Sequence, residues 1–206
     1  MKKGKRIRIL PVALVAIGLV AVTAIVLWQR YVAVRYDGAD ERWVYVDSTM
    51  TVGQMADMLP KELGRAGNGA AAMWRWTGRD VAQAHGAYRI KPGMTALEIY
   101  RMMSRGRQTP VKLTFNNIRT MPQLAARISD RLETDSASFM AACDSLLPGR
   151  GFDRDSYIAA FVPDSYEFYW TVSPGKVVET LAGYRDRYWS DERRAQASSL
   201  GLTPVQ

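Results

Sequence analysis

The chain carries one cysteine, Cys143, and one histidine, His85, among its 206 residues. An internal disulfide is therefore excluded, and stability has to come from packing rather than from crosslinks. His85 is flanked by Ala84 and Gly86 in a loop-like stretch, which gives no support to a Ser-His-Asp arrangement or to a metal site. No metal and no cofactor are expected. Cys143 lies in the helical run Ser138-Phe-Met-Ala-Ala-Cys-Asp-Ser-Leu-Leu147. Free cysteine is among the most buried residue types, so we assign it to packing rather than to chemistry.

Charge is missing from a second place, the 20 residues from Ile9 to Trp28, which read ILPVALVAIGLVAVTAIVLW. At a rise of about 1.5 Å per residue such a run crosses a hydrocarbon core of about 30 Å. Five of the eight net positive charges, on Lys2, Lys3, Lys5, Arg6 and Arg8, stand ahead of it, and only three remain for the rest. That remainder is too dilute for a phosphate-tracking stripe, so no nucleic-acid partner is expected. The leading cations keep the N-terminus in the cytoplasm and export the chain after Arg30, with Trp28 and Tyr31 at interfacial positions. The run ends in Leu27-Trp-Gln-Arg30, a poor cleavage site, which favours a retained anchor over a removed signal peptide.

Beyond a polar linker the chain reads three times as strand, turn and capped helix. Trp43-Val-Tyr-Val46 has strand composition, and Thr51 and Gln54 have capping-box spacing ahead of Val52, Met55, Met58 and Leu59. The arrangement recurs at Tyr88–Met103, where Thr95 and Glu98 form the box and Leu97, Ile99, Met102 and Met103 the apolar face. It recurs again after Val111-Lys-Leu-Thr-Phe115, with Thr120 and Gln123 ahead of Leu124 and Ile128. The turn phrases Asp47-Ser-Thr-Met-Thr-Val and Lys91-Pro-Gly-Met-Thr-Ala resemble the strand-to-helix turn of LysM modules, which bind N-acetylated glycans. From Val177 to Ser199 the pattern is again helical, with Val178, Leu181, Tyr184, Tyr188 and Trp189 as the expected buried face.

The densest segment is Tyr157-Ile-Ala-Ala-Phe-Val-Pro-Asp-Ser-Tyr-Glu-Phe-Tyr-Trp170, with six aromatic residues in fourteen. Pro163 and Asp164 punctuate the chain ahead of Tyr166. Aromatic faces stack on sugar rings and carboxylates accept hydrogen bonds from hydroxyls, so the mixture suits a saccharide groove, although an ordinary aromatic core has the same composition. Val162-Pro-Asp-Ser-Tyr-Glu-Phe168 resembles the F-P-D-T-Y-E-F motif of the membrane-anchored endolytic murein transglycosylases, the YceG-like family. The order of parts around it is similar too: an N-terminal anchor, LysM-like turns, a Gly-x-Tyr-x-x-x-Pro-x-Met-Thr stretch at Gly86–Thr95, and then the motif.

The resemblance implies an enzyme that breaks the β-1,4 bond between N-acetylmuramic acid and N-acetylglucosamine without water. One carboxylic acid protonates the leaving oxygen, and the muramic 6-hydroxyl closes on C1 to give a 1,6-anhydro end. That acid needs a raised pKa, which a partly apolar setting supplies. The family's catalytic glutamate is expected beyond Gln206, leaving this chain a fragment without its own catalytic residue and inactive alone. Glu167, among Tyr166, Phe168, Tyr169 and Trp170, is the alternative acid within the chain. Asp164, Tyr166, Glu167 and Tyr169 are the expected substrate-binding residues. Two departures stand out: Ile158-Ala159 and Asn116-Asn117 both replace Glu-Gly pairs, the second at a turn where asparagine tolerates left-handed backbone.

The fold class expected is α+β: a cytoplasmic tail over 1–8, a transmembrane helix over 9–28, and a linker over 29–40. After these come a small LysM-like domain over 41–108 and an incomplete mixed α/β catalytic domain over 109–206. The expected partners are peptidoglycan strands, the inner membrane through residues 9–28, and the peptidoglycan synthesis machinery. A non-enzymatic, membrane-tethered wall-binding or division protein is the competing reading. Aminodeoxychorismate lyase, a name sometimes attached to the family, would need pyridoxal phosphate and a cytoplasmic site, against which the anchor argues.

Overall fold

A computed structural model of the chain describes residues 9–205; the tail over 1–8 and any acid beyond Gln206 lie outside the described residues. Among these residues the architecture is mixed, with seven α-helices and two separate two-stranded antiparallel sheets. The chain divides into two units, Met1–Gln108 and Thr109–Gln206.

The first unit begins with α1 (Ile9–Leu27), 19 residues with no charge. Apolar side chains surround it on every side, so it has no stripe to lay on a protein core, and those from Pro11 onward stand exposed. It is long and apolar enough to span a membrane. A π-helical turn at Trp28–Val32 ends it. Residues 29–40, expected as a linker, are tied down instead. Tyr36 N donates to Met94 O and Gly93 N donates to Tyr36 O, both at 2.8 Å, and the Tyr36 ring is buried.

Next come β1 (Arg42–Val46), α2 (Val52–Thr77), β2 (Gly86–Ile90) and α3 (Ala96–Ser104). The strands pair antiparallel with Val44 opposite Tyr88. Both capping boxes form: Thr51 N donates to Gln54 Oε1 at 2.8 Å, and Thr95 N donates to Glu98 Oε2 at 2.7 Å. Each satisfies helix-end donors that have no partner within the helix. α2 does not stop at Leu59, the last of the expected apolar positions. It runs on to Thr77, broken only where Gly64 takes φ +56°, because the Ala-rich second half packs into the core around Trp74.

The second unit holds β3 (Val111–Phe115), α4 (Met121–Ser129), α5 (Ser136–Leu146), β4 (Asp164–Phe168), α6 (Pro174–Tyr188) and α7 (Asp191–Ser199). The third expected capping box is absent, since Thr120 makes no side-chain cap bond and Gln123 Oε1 accepts from Arg119 N instead. Asn116 and Asn117 keep ordinary backbone; among the described residues only glycines have positive φ. Cys143 is fully buried, and burial together with neighbouring Asp144 pushes its thiol up to about 12. The buried face of α6 is Val177, Val178, Leu181, Ala182 and Arg185, while Tyr184 and Tyr188 are exposed. This face is rotated from the expected one, which follows the aromatic residues. Their rings lie instead on the surface side, with the Arg187 and Arg193 guanidinium groups over Tyr184 and Tyr188 at 4.5 and 4.3 Å.

Candidate functional site

The motif residues Asp164–Phe168 form β4, in register with β3: Lys112 opposite Glu167, Leu113 opposite Tyr166, Thr114 opposite Ser165. Strand side chains alternate between faces, so this register sorts the motif. Tyr166 and Phe168 turn inward with Val111, Leu113 and Phe115, whereas Ser165 and Glu167 share the outer face with Lys112 and Thr114. Thr114 Oγ1 and Ser165 Oγ lie 2.8 Å apart across the strands.

The expected substrate residues therefore separate. Tyr166 is 3% exposed, stacked on Phe115 at 5.5 Å and edge-on to Tyr184 at 4.9 Å. Its hydroxyl donates to Val162 O, and burial pushes its pKa up to about 12, with lesser contributions from Asp164 and Tyr184. Tyr166 thus braces the strand from inside rather than facing a ligand. Glu167 is exposed, and its aromatic sequence neighbours Tyr166 and Phe168 point to the other face, so the apolar pocket expected around it does not form. Tyr169, just past the strand, is 56% exposed, and Asp164 is exposed at the strand's start, accepting from Ser165 N at 2.7 Å.

Beside the outer face lies an open cleft of about 610 Å³ lined by Lys112, Thr114, Phe115, Asn116, Asn117, Ile118, Arg127 and Arg131. Three cations, two carboxamides and a hydroxyl converge there, and among the described residues the lining holds no carboxylate. Such a surface suits polar and anionic groups. Sequence patterning does not single out Arg127 and Arg131. They follow the i, i+4 spacing of α4 and the turn after it, which in a sequence reads only as a solvated helix face.

A second unanticipated residue is Arg185, 9% exposed in α6. Its Nε donates to Ala159 O at 2.7 Å and its Nη2 to Pro204 O at 3.2 Å, while the guanidinium lies 4.7 Å from the Phe152 ring centre. Burial lowers its pKa from the usual arginine value. It pins the turn Tyr157–Ala160, which feeds the motif strand, to the helix behind it. Among the described residues no group of His, Cys, Asp and Glu gathers as a metal site.

These elements match a known family. The model of the YceG-like family fits residues 44–206, the second strand pair and the motif included, and the chain belongs to that family. Among solved structures, it is similar to that of a yceG-like protein from Listeria monocytogenes, with 14% identity and a TM-score of 0.43 over 81% of this chain and 61% of that one. The chain thus spans less than two thirds of that protein's length. No curated protein matches the chain.

Proposed function

We propose that this chain is the anchor, glycan-binding and first catalytic-domain portion of an endolytic murein transglycosylase. It is held in the plasma membrane by α1, with its N-terminus in the cytoplasm and both folded units outside. The observation that carries the reading is the family match over 44–206, with Asp164–Phe168 of the motif forming the strand beside the cation-lined cleft. In the reaction proposed, a protonated glutamate donates to the oxygen leaving C1 of N-acetylmuramic acid. The 6-hydroxyl bonds to C1 as its own proton passes to that glutamate, so no water is consumed. Lys112, Arg127 and Arg131 suit the carboxylates of the muramyl stem peptide, and the exposed Glu167, Asp164 and Tyr169 suit sugar hydroxyls and ring faces. The glycan-binding role of the first unit is supported by the LysM-like turns at Asp47–Val52 and Lys91–Ala96.

The test is digestion of purified wall sacculi by the protein extended with any coding sequence past Gln206, with mass spectrometry of the products. Anhydro-muramyl ends are expected. Hydrated ends alone would remove the transglycosylase reaction, and sacculus binding without any cleavage would favour a wall-binding protein. Alkaline phosphatase, active only outside the cytoplasm, fused after Val205 should be active if the topology is right.

A further inference from the structure

The first unit carries a second cavity, of about 520 Å³, directly where the apolar helix ends. One wall is the segment Gln29, Arg30, Tyr31 and Val34. The other comes from the second half of α2, where Arg65, Asn68, Ala72 and Arg75 recur at i, i+3, i+7 and i+10 on one face. The two walls approach closely because Gly69 has no side chain: a β-carbon there would collide with the Tyr31 carbonyl and Ala96. Arg30, Arg65 and Arg75 are all exposed and converge on the cavity. Arg65 pairs only loosely with Asp37, at 3.4 Å between two exposed groups, and among the described residues Arg30 and Arg75 have no carboxylate partner.

Position decides what such a site meets. If α1 crosses the bilayer, its 19 residues cover about 28 Å, so the segment after Leu27 emerges at headgroup depth. Aromatic side chains mark the same level. Trp28 is 57% exposed, and Trp76, 62% exposed, meets Tyr31 edge-on at 5.6 Å beside the cavity. Tryptophan and tyrosine with one wet and one apolar end settle at this boundary. Guanidinium forks are matched to phosphate oxygens, and three of them suit a phosphate better than a neutral sugar.

We propose that Arg30, Arg65 and Arg75 form a cradle for the phosphate of an anionic phospholipid headgroup, holding the first folded unit against the bilayer at the foot of its anchor. The exposed Trp28 and Trp76 beside the cradle give a lipid, rather than a free phosphate, an apolar boundary to rest on. The proposal rests on the membrane anchor but not on its direction or on any enzymatic activity.

The test uses the full 206-residue chain with vesicles of equimolar phosphatidylglycerol and phosphatidylcholine. Flotation reads the anchor, and native mass spectrometry after mild detergent extraction reads the lipid retained. We expect flotation with retention of phosphatidylglycerol about tenfold over phosphatidylcholine, and loss of that preference in the R65Q/R75Q double variant at an unchanged melting temperature. Both side chains are exposed, so the variant should fold. Equal retention of the two lipids, or an undiminished preference in the double variant, would overturn the cradle while leaving the anchor standing. Displacement of the lipid by millimolar inorganic phosphate would overturn the headgroup assignment in favour of a free anion. Failure to float with either lipid would remove the anchor and the proposal together.

Discussion

Both units are built around five residue pairs of antiparallel sheet closed over a long connection, yet they treat that sheet differently. In the first unit β2 is covered on both sides, with Gly86, Ala87, Tyr88 and Ile90 all buried. In the second, β4 buries only Tyr166 and Phe168 and leaves Asp164, Ser165 and Glu167 in solvent. The same strand geometry thus serves packing in one place and presents a polar face in the other. The lesson is that a strand's use is set by what covers its second face, which its own residues do not state.

The largest test of this contrast is Tyr166→Ala, which empties a site between Phe115, Phe168 and Tyr184. It should cost about 3–5 kcal/mol, read as a lowered denaturation midpoint of the second unit. Its outer-face counterpart, Thr114→Val, should stay within about 0.5 kcal/mol while altering binding at the cleft. Equal losses from the two would erase the distinction between the faces.

Arg185→Met comes next. It removes a charged donor from Ala159 O and Pro204 O, and a loss of about 2 kcal/mol is expected in urea unfolding. In the first unit, Gly69→Ala should cost about 1–3 kcal/mol through its collision with the Tyr31 carbonyl and Ala96. Faster hydrogen exchange should then be confined to that unit, and spread into the second would contradict the division at Gln108.

The smallest effect is one the units should share. Glu98 is held below the ordinary glutamate range by hydrogen bonds from the Thr95 backbone and hydroxyl, and Asp135 below the aspartate range by those from Ser138. A depressed folded pKa contributes stability that is present above the unfolded value and lost as pH falls through the folded one. The melting temperature should therefore hold from about pH 7 to 5 and decline modestly below about pH 4 in both units. Glu98→Gln should flatten the decline in the first unit alone.

Range decides which features a sequence makes legible. The boxes at Thr51/Gln54 and Thr95/Glu98 are readable because they span three residues and need no tertiary partner. The box at Thr120/Gln123 misleads, because Gln123 is captured by the backbone of Arg119. The rotated face of α6 misleads for a related reason: tyrosines counted as core can shield themselves under arginine side chains at the surface. At the candidate site the motif itself is visible, but the opposite directions of Tyr166 and Glu167 depend on the pairing with Leu113 and Lys112.

By itself the sequence determined the elements whose causes are local: an uncharged run of bilayer length, the capped helix starts at Thr51 and Thr95, and the motif, set off by Pro163 and Asp164, that becomes the strand β4. Only the tertiary structure decided which side of that strand meets solvent. It alone gathered Lys112 with Arg127 and Arg131, and Arg30 with Arg65 and Arg75. Charges dispersed along a chain become a site only when strand register and helix packing bring them within reach of one ligand. Those are long-range choices, made by burial of the apolar faces behind them.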